Sequence, residues 1–187
     1  MLKQANRVVK KAKIYDVSLH FPKLNLSDLS VTAFADASHG NLRNGGSQGG
    51  MYIEVRSGAS TCPVEWQSKR IRRAAKSTLA AETIALVEAL ENAIYIKHLI
   101  TEMLWKSSSH IEVNCLTDNY SLYQTAHSTK SISDRRLRIE IAIVREAIKT
   151  GQVTLKWVNS KEQLADCMTK KGCDSQKLIQ RIGSTTL

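Results

Sequence analysis

From Ser77 to Trp105, apolar side chains recur at helical spacing, with Leu79, Leu86, Leu90, Ala93, Ile96 and Ile100 near one stripe and Ile84, Val87 and Ile94 beside it. A helix this long, and apolar on more than one side, has to be wrapped by several neighbours. It predicts a core element around which the rest of the chain is built. What precedes it has a different character. VTAFAD (31–36), MYIEVRS (51–57) and STCPVEWQS (60–68) are short runs of β type. A turn containing Gly58 joins the last two, and Pro63 pushes the third towards an edge or a bulge because it has no N–H to donate to a ladder. The glycine-rich HGNLRNGGSQGG (39–50) reads as a strand-to-strand loop, since it lacks the Gly-Lys-Ser/Thr ending of a phosphate cradle.

After the long helix, strands and helices alternate. IEVNCLTD (111–118) reads as a strand ending in an acid, and Asn119–Thr125 as a short helix. Asp134–Lys149 is a helix with Leu137, Ile141, Val144 and Ile148 on one face, QVTLKWV (152–158) is a strand, and Glu162–Thr169 starts another helix. The order β-β-β-α-β-α-α-β-α predicts an α/β domain with hairpin strands first and crossover connections later, hence a mixed sheet flanked by helices. Trp66, Trp105 and Trp157 fall on these elements and are expected in the core rather than as base-stacking platforms. Residues 1–30 read as a connector, with a basic, helix-compatible stretch from Gln4 to Lys13 followed by polar sequence around Pro22.

Charge narrows the partners. Lys and Arg outnumber Asp and Glu by 27 to 17, a net +10 over 187 residues, which suits a polyanion whose neutralised phosphates release counterions. Lys69, Arg70, Arg72, Arg73 and Lys76 form one cluster, and Arg135, Arg136 and Arg138 a second. No apolar run reaches the roughly 18 residues of a membrane span, and no apolar segment follows the basic N-terminus as a secretory signal requires. Cys62, Cys115, Cys167 and Cys173 show neither a C-x-x-C pair nor a His at zinc-ligand spacing, which reads as reduced thiols in an intracellular protein.

Against this basic background, single acids sit where acids are locally unusual. Asp36 and Asp118 close apolar strands, Glu82 lies on a largely apolar helical face between Leu79 and Leu86, and Asp166 falls early in the helix after the last strand. Each has a plainer reading. Asp36 suits the start of a turn, Asp118 a helix cap, Glu82 a paired carboxylate at a helix edge, and Asp166 a first-turn acid favoured by the helix dipole. Taken together they fall one per expected element, and open α/β sheets bind ligands at the carboxyl ends of their strands. Carboxylates gathered there stay ionised only if cations neutralise them. Hard oxygen donors select magnesium or manganese. Two such ions about 4 Å apart activate a water and stabilise the leaving oxygen of a phosphodiester.

The blocks FADASHGNLRNGGSQGG, STLAAETIALVEAL, LTDNYSLY and LKWVNSKEQLADCMTKKG resemble, in order and spacing, the ribonuclease H domain of copia-type (Ty1/copia) retrotransposon Pol polyproteins. The likeness covers roughly residues 31–172, and the EQLAD-x-x-TK run is its most specific part. It implies a ribonuclease H-like fold, a mixed five-stranded sheet with three antiparallel strands first and parallel strands after. It implies metal-dependent endonucleolytic cleavage of the RNA strand of RNA–DNA hybrids, with two Mg2+ (or Mn2+) ions held by Asp36, Glu82, Asp118 and Asp166. Residues 1–30 then resemble the tail of a reverse transcriptase region, 31–172 the catalytic domain, and 173–187 a C-terminal helix or tail. The implied partners are the hybrid and an attached or associated reverse transcriptase, with no membrane. The implied location is the cytoplasm, in a retroelement particle, or the nucleus. Ser38 and Asn119 are candidates for contacts to the RNA minor groove, and Lys69, Arg70, Arg72, Arg73 and Lys76 for phosphates of the DNA strand.

The sequence also departs from the pattern. No Tyr-x-Asp-Asp signature occurs, so this chain is not expected to polymerise, and no protease or integrase pattern is present. Many copia-type elements carry a His-rich stretch where this chain has SDRRLRIEIAIVRE, and Val158–Gln163 lacks the His that cellular ribonucleases H place before the last acid. Two rival readings stay open at this point. One is a non-catalytic nucleic-acid-binding relic or connection domain of the same fold. The other is a nuclease of the same superfamily acting on duplex or branched DNA.

Overall fold

The computed structural model of the chain describes residues 2–14, 18–104 and 111–183. Helix α1 (Leu2–Ile14) leads to strands β1 (Ser30–Ser38), β2 (Gln48–Ser57) and β3 (Ser60–Arg70), and then to helix α2 (Thr78–Leu104). Strand β4 (Glu112–Thr117), helices α3 (Tyr120–His127) and α4 (Arg135–Lys149), strand β5 (Thr154–Trp157), and helices α5 (Asp166–Thr169) and α6 (Gln176–Gly183) follow, with a 3-10 turn at Ser160–Glu162. The sheet order is β3-β2-β1-β4-β5. The first three strands pair antiparallel, and β1, β4 and β5 run parallel. This is the mixed sheet that the order of elements predicts.

Alternation along β1 divides the interior. Val31, Ala33 and Ala35 join a main core with Leu86, Ala89, Leu90 and Ala93 of α2, Leu122 of α3, and Ile141 and Val144 of α4. Small side chains at Ala33, Ala35, Ala89 and Ala93 let α2 lie close against the central strand. On the other face Phe34 and Tyr52 pack with Ala165, and Leu178 and Ile182 of α6 close over them. A buried ion pair fastens that cover. Arg181 of α6 donates from Nε and Nη2 to Glu54 Oε2 and Oε1 at 2.8 and 2.6 Å. Burial, together with the nearby Glu54 carboxylate, pushes the Tyr52 hydroxyl above its ordinary range.

Three details depart from the sequence reading. The glycine-rich loop ends earlier than expected, because β2 already begins at Gln48 and takes Gly49 and Gly50 into the ladder opposite Ala37 and Asp36. The reason is space. A Cβ on Gly50 would lie 2.6 Å from Met168 Cβ and 2.8 Å from Thr169 Cγ2, so only glycine lets α5 rest on this strand. Strand β1 likewise runs two residues past Asp36 to Ser38. The tryptophans are the third departure. Trp66 and Trp157 are 50% and 45% exposed on the two edge strands, not in the core, because an edge strand is covered from one side only. Trp105 lies outside the described residues. Pro63 sits on edge strand β3, where the register slips from Ile53↔Glu65 to Glu54↔Pro63 and leaves Val64 as the bulge.

Candidate metal centre

The carboxyl end of β1 and β4 is where the acids meet. The parallel register pairs Phe34 with Leu116. Asp36 and Asp118 each lie two residues further on, so they reach the same level of neighbouring strands. Asp166 arrives from a third direction as the first residue of α5, which is seated on Gly50. The seat is reinforced from below by Gln163, whose Nε2 donates to Ala35 O at 2.9 Å while its Oε1 accepts from Ala165 N. One carboxylate oxygen from each of Asp36, Asp118 and Asp166 lies within 4.8 Å of the others. Glu82, buried on α2, accepts from Ala37 N at 3.2 Å, which places its carboxylate beside the same strand end.

Electrostatics show how strained this assembly of charge is. Burial first, then the neighbouring Asp36 and Asp118, push the Glu82 carboxyl up to about 9. Burial also pushes Asp36 up to about 6, opposed by a hydrogen bond from Thr169 and by the charge of Lys170. Asp36 is 1% exposed, and its Oδ1 is buried with no hydrogen-bond donor among the described residues. Lys170 Nζ stands 3.5 Å from that atom and 2.6 Å from Asp166 Oδ1. An orphaned buried carboxylate oxygen, ringed by two more acids, fits a hard divalent cation with oxygen ligands. The set has no soft donor.

The raised values set a pH dependence. Between the ordinary 4.5 of a free Glu and about 9, the unfolded chain has released a proton that folded Glu82 keeps. The metal-free protein therefore loses stability as pH rises through that window, and is best served by these groups at its acid end. Thermal melts in EDTA at pH 5, 7 and 9 should show the decline, and Glu82→Gln should flatten it. An unchanged slope in the variant would place the source elsewhere.

The candidate nucleic-acid contacts fall into two groups. Ser38 pairs through Gln48 with Arg70, so Ser38, Arg70 and the start of the 69–76 segment share the end of the sheet that carries the acids. Asn119 spends its Oδ1 on capping α3, accepting from Leu122 N at 2.9 Å, and this takes the capping role that the plainer reading gave to Asp118. Three cations of the basic cluster are engaged within the chain. Lys69 pairs with Glu88, Arg73 with the largely buried Glu140, and Lys76 with Asp134 at 3.4 Å. Arg70 and Arg72 are exposed. The pairs fix the path of the segment, to which His39 adds a bond from Nε2 to Ala75 O at 3.0 Å.

No family model matches the chain. Solved structures do. Ribonuclease H1 of the halophilic archaeon Halobacterium salinarum NRC-1 aligns with a TM-score of 0.52 at 20% identity, over 75% of this chain and 94% of that one. The N-terminal ribonuclease H domain of rv2228c from Mycobacterium tuberculosis aligns with a TM-score of 0.52 at 14% identity, over 84% of this chain and 100% of that one. The fold is that of ribonuclease H. The foamy viral protease-reverse transcriptase, solved with an RNA/DNA hybrid, aligns with a TM-score of 0.56 at 13% identity over 84% of this chain, which spans 22% of that longer one.

Within this ribonuclease H fold, two site residues escaped the sequence reading. Thr169 donates from Oγ1 to Asp36 Oδ2, and Lys170 bridges Asp36 and Asp166. The signal for Lys170 was available. Asp166 and Lys170 are four apart at the end of a short helix, the spacing that brings opposite charges together. Nothing in the sequence ties Thr169 to a residue 133 positions away. Among the described residues, no helix is long and apolar enough to cross a membrane. All four cysteines are free thiols.

Proposed function

We propose that the chain is a metal-dependent ribonuclease H that cuts the RNA strand of RNA–DNA hybrids. The observation that carries this reading is the convergence of Asp36, Asp118 and Asp166 within 4.8 Å, with Glu82 buried beside them, at the carboxyl end of a ribonuclease H sheet. Asp36, Asp118, Asp166 and Glu82 would hold Mg2+ or Mn2+, two ions in the full site. Bound there, such ions supply an activated water and charge neutralisation at the leaving oxygen. The chain's own residues do the rest. Asp36 is fixed by Thr169, Glu82 by the Ala37 amide, and Asp166 by the seat of α5 on Gly50, so the ligands are oriented before any substrate arrives.

Ser38, Arg70 and Arg72 stand at or beside the acid-bearing end and would take the hybrid, with Asn119 presenting its amide nitrogen. Lys69, Arg73 and Lys76 would add charge to the DNA-strand side while keeping the segment in place. The blocks from FADASHG to EQLADCMTKKG support a copia-type retrotransposon origin, with residues 1–30 as the tail of a reverse transcriptase region and 173–187 as an appended C-terminal helix. The net +10 supports a nucleic-acid partner, handled inside the cell during reverse transcription.

The test is a labelled RNA–DNA hybrid incubated with Mg2+ or Mn2+, beside duplex DNA and the Asp118→Asn variant. RNA-strand cutting should require metal, should spare duplex DNA, and should vanish in the variant. Binding without cutting under both metals would replace the enzyme with the non-catalytic relic, and cutting of duplex DNA would point to the nuclease acting on duplex or branched DNA.

A further inference from the structure

We propose that Lys170 is a tethered cation that fills the divalent-ion position in the metal-free chain and competes with the ion for it. The inference rests on the reading of Asp36, Asp118 and Asp166 as metal ligands. Lys170 is the C-cap of α5, its backbone N–H held by Asp166 O at 2.9 Å, so its side chain starts from a fixed point one turn after the acid. From there Nζ reaches 2.6 Å from Asp166 Oδ1 and 3.5 Å from Asp36 Oδ1. One ammonium thus stands between two of the three carboxylates. Its nearer approach to Asp36 is to Oδ1, the buried oxygen with no hydrogen-bond donor among the described residues.

Three acids at this spacing repel, and a buried one has no water to shield it. A lysine at the rim relieves that repulsion without any ion. The Lys170 side chain is 43% exposed, against 1% for Asp36, so the ammonium can swing out on its four-carbon stem while the carboxylates stay. A divalent ion held by Asp36 and Asp166 would repel an ammonium at contact distance. Lys170 therefore offsets the repulsion between the carboxylates in the metal-free chain and would have to leave when an ion binds. The arrangement stabilises the fold without metal at a cost in metal affinity.

Calorimetric titration of the EDTA-stripped full chain with Mn2+ tests this without any substrate. Wild type should bind, and Lys170→Met should bind at least about tenfold tighter, the scale expected for removing a charge a few ångströms away at protein-surface dielectric. Lys170→Arg keeps the charge and should stay within about twofold of wild type. Lys171→Met, which removes an equal charge from an exposed neighbour, should do the same. In thermal melts the metal-free Lys170→Met chain should unfold below wild type, with the gap closing in saturating Mn2+. If it fails to fold without metal, Lys170→Gln takes its place, since its amide can still donate to Asp166. Equal or weaker binding by the uncharged variants, with wild type binding, overturns the competition. No binding by wild type removes the metal centre itself, and this inference with it.

Discussion

Asp36→Asn is expected to abolish cleavage and, in the absence of metal, to raise the melting temperature. The two effects share one cause. Folding pushes the Asp36 carboxyl from 3.8 up to about 6, so above that pH the folded chain carries a charge that the unfolded chain tolerates better. Removing the charge relieves roughly 3 kcal/mol at pH 8, on the order of ten degrees or less for a chain of this size. The same substitution removes the buried oxygen pair at the centre of the ligand set. Loss of about 4 kcal/mol of transition-state stabilisation corresponds to roughly a 10³-fold fall in rate. Cleavage rates in Mg2+ and melts in EDTA check both arms on one protein. A variant that cuts within tenfold of wild type takes Asp36 out of the metal centre, and one that melts lower without metal shows that its bond from Thr169 outweighs the cost of burying its charge.

The largest stability effect is expected at the buried ion pair that fastens α6. Arg181→Ala leaves Glu54, which is fully buried, with Arg56 Nε at 3.6 Å as its remaining ion-pair partner among the described residues. Breaking one side of a buried pair typically costs about 3–5 kcal/mol, most of it the burden of the orphaned charge. Replacing both sides, Glu54→Gln with Arg181→Met, should recover most of that loss, because it is the unpaired carboxylate rather than the missing bond that destabilises. Urea denaturation of the two variants separates these contributions. Equal losses in the single and double variants would place the cost in lost packing of α6 around Leu178 and Ile182 rather than in the orphaned Glu54 charge. Because α6 covers Ala165, next to the acid-bearing start of α5, Arg181→Ala should also weaken Mn2+ binding.

The strands from Val31, Met51 and Ser60 and the long helix from Ser77 were legible because their apolar spacing is a local property, visible in any window of the chain. The mixed sheet followed from their order. Pro63 carried its own structural consequence, since a residue without an N–H has to find an edge or a bulge wherever it sits. The four acids stood out for a related reason. A single carboxylate in an apolar segment costs free energy unless it is paired or put to use.

Other features were decided only in three dimensions. Gly49 and Gly50 look like loop residues in sequence, yet both are strand residues, packed on by Ile71 and Ala85 at Gly49 and by α5, more than 110 positions later, at Gly50. Trp66 and Trp157 look like core residues, and become exposed because the sheet ends at β3 and β5. Lys69, Arg73 and Lys76 look like an open basic patch, until Glu88, Glu140 and Asp134 arrive from α2 and from α4 with its cap. Sequence by itself determined which segments form elements and which residues could carry charge into them, since both follow from residue type and short-range spacing. The tertiary structure alone decided which charges are neutralised, which glycines are packed against and which oxygen of Asp36 is buried, because each depends on contacts between residues remote in the chain.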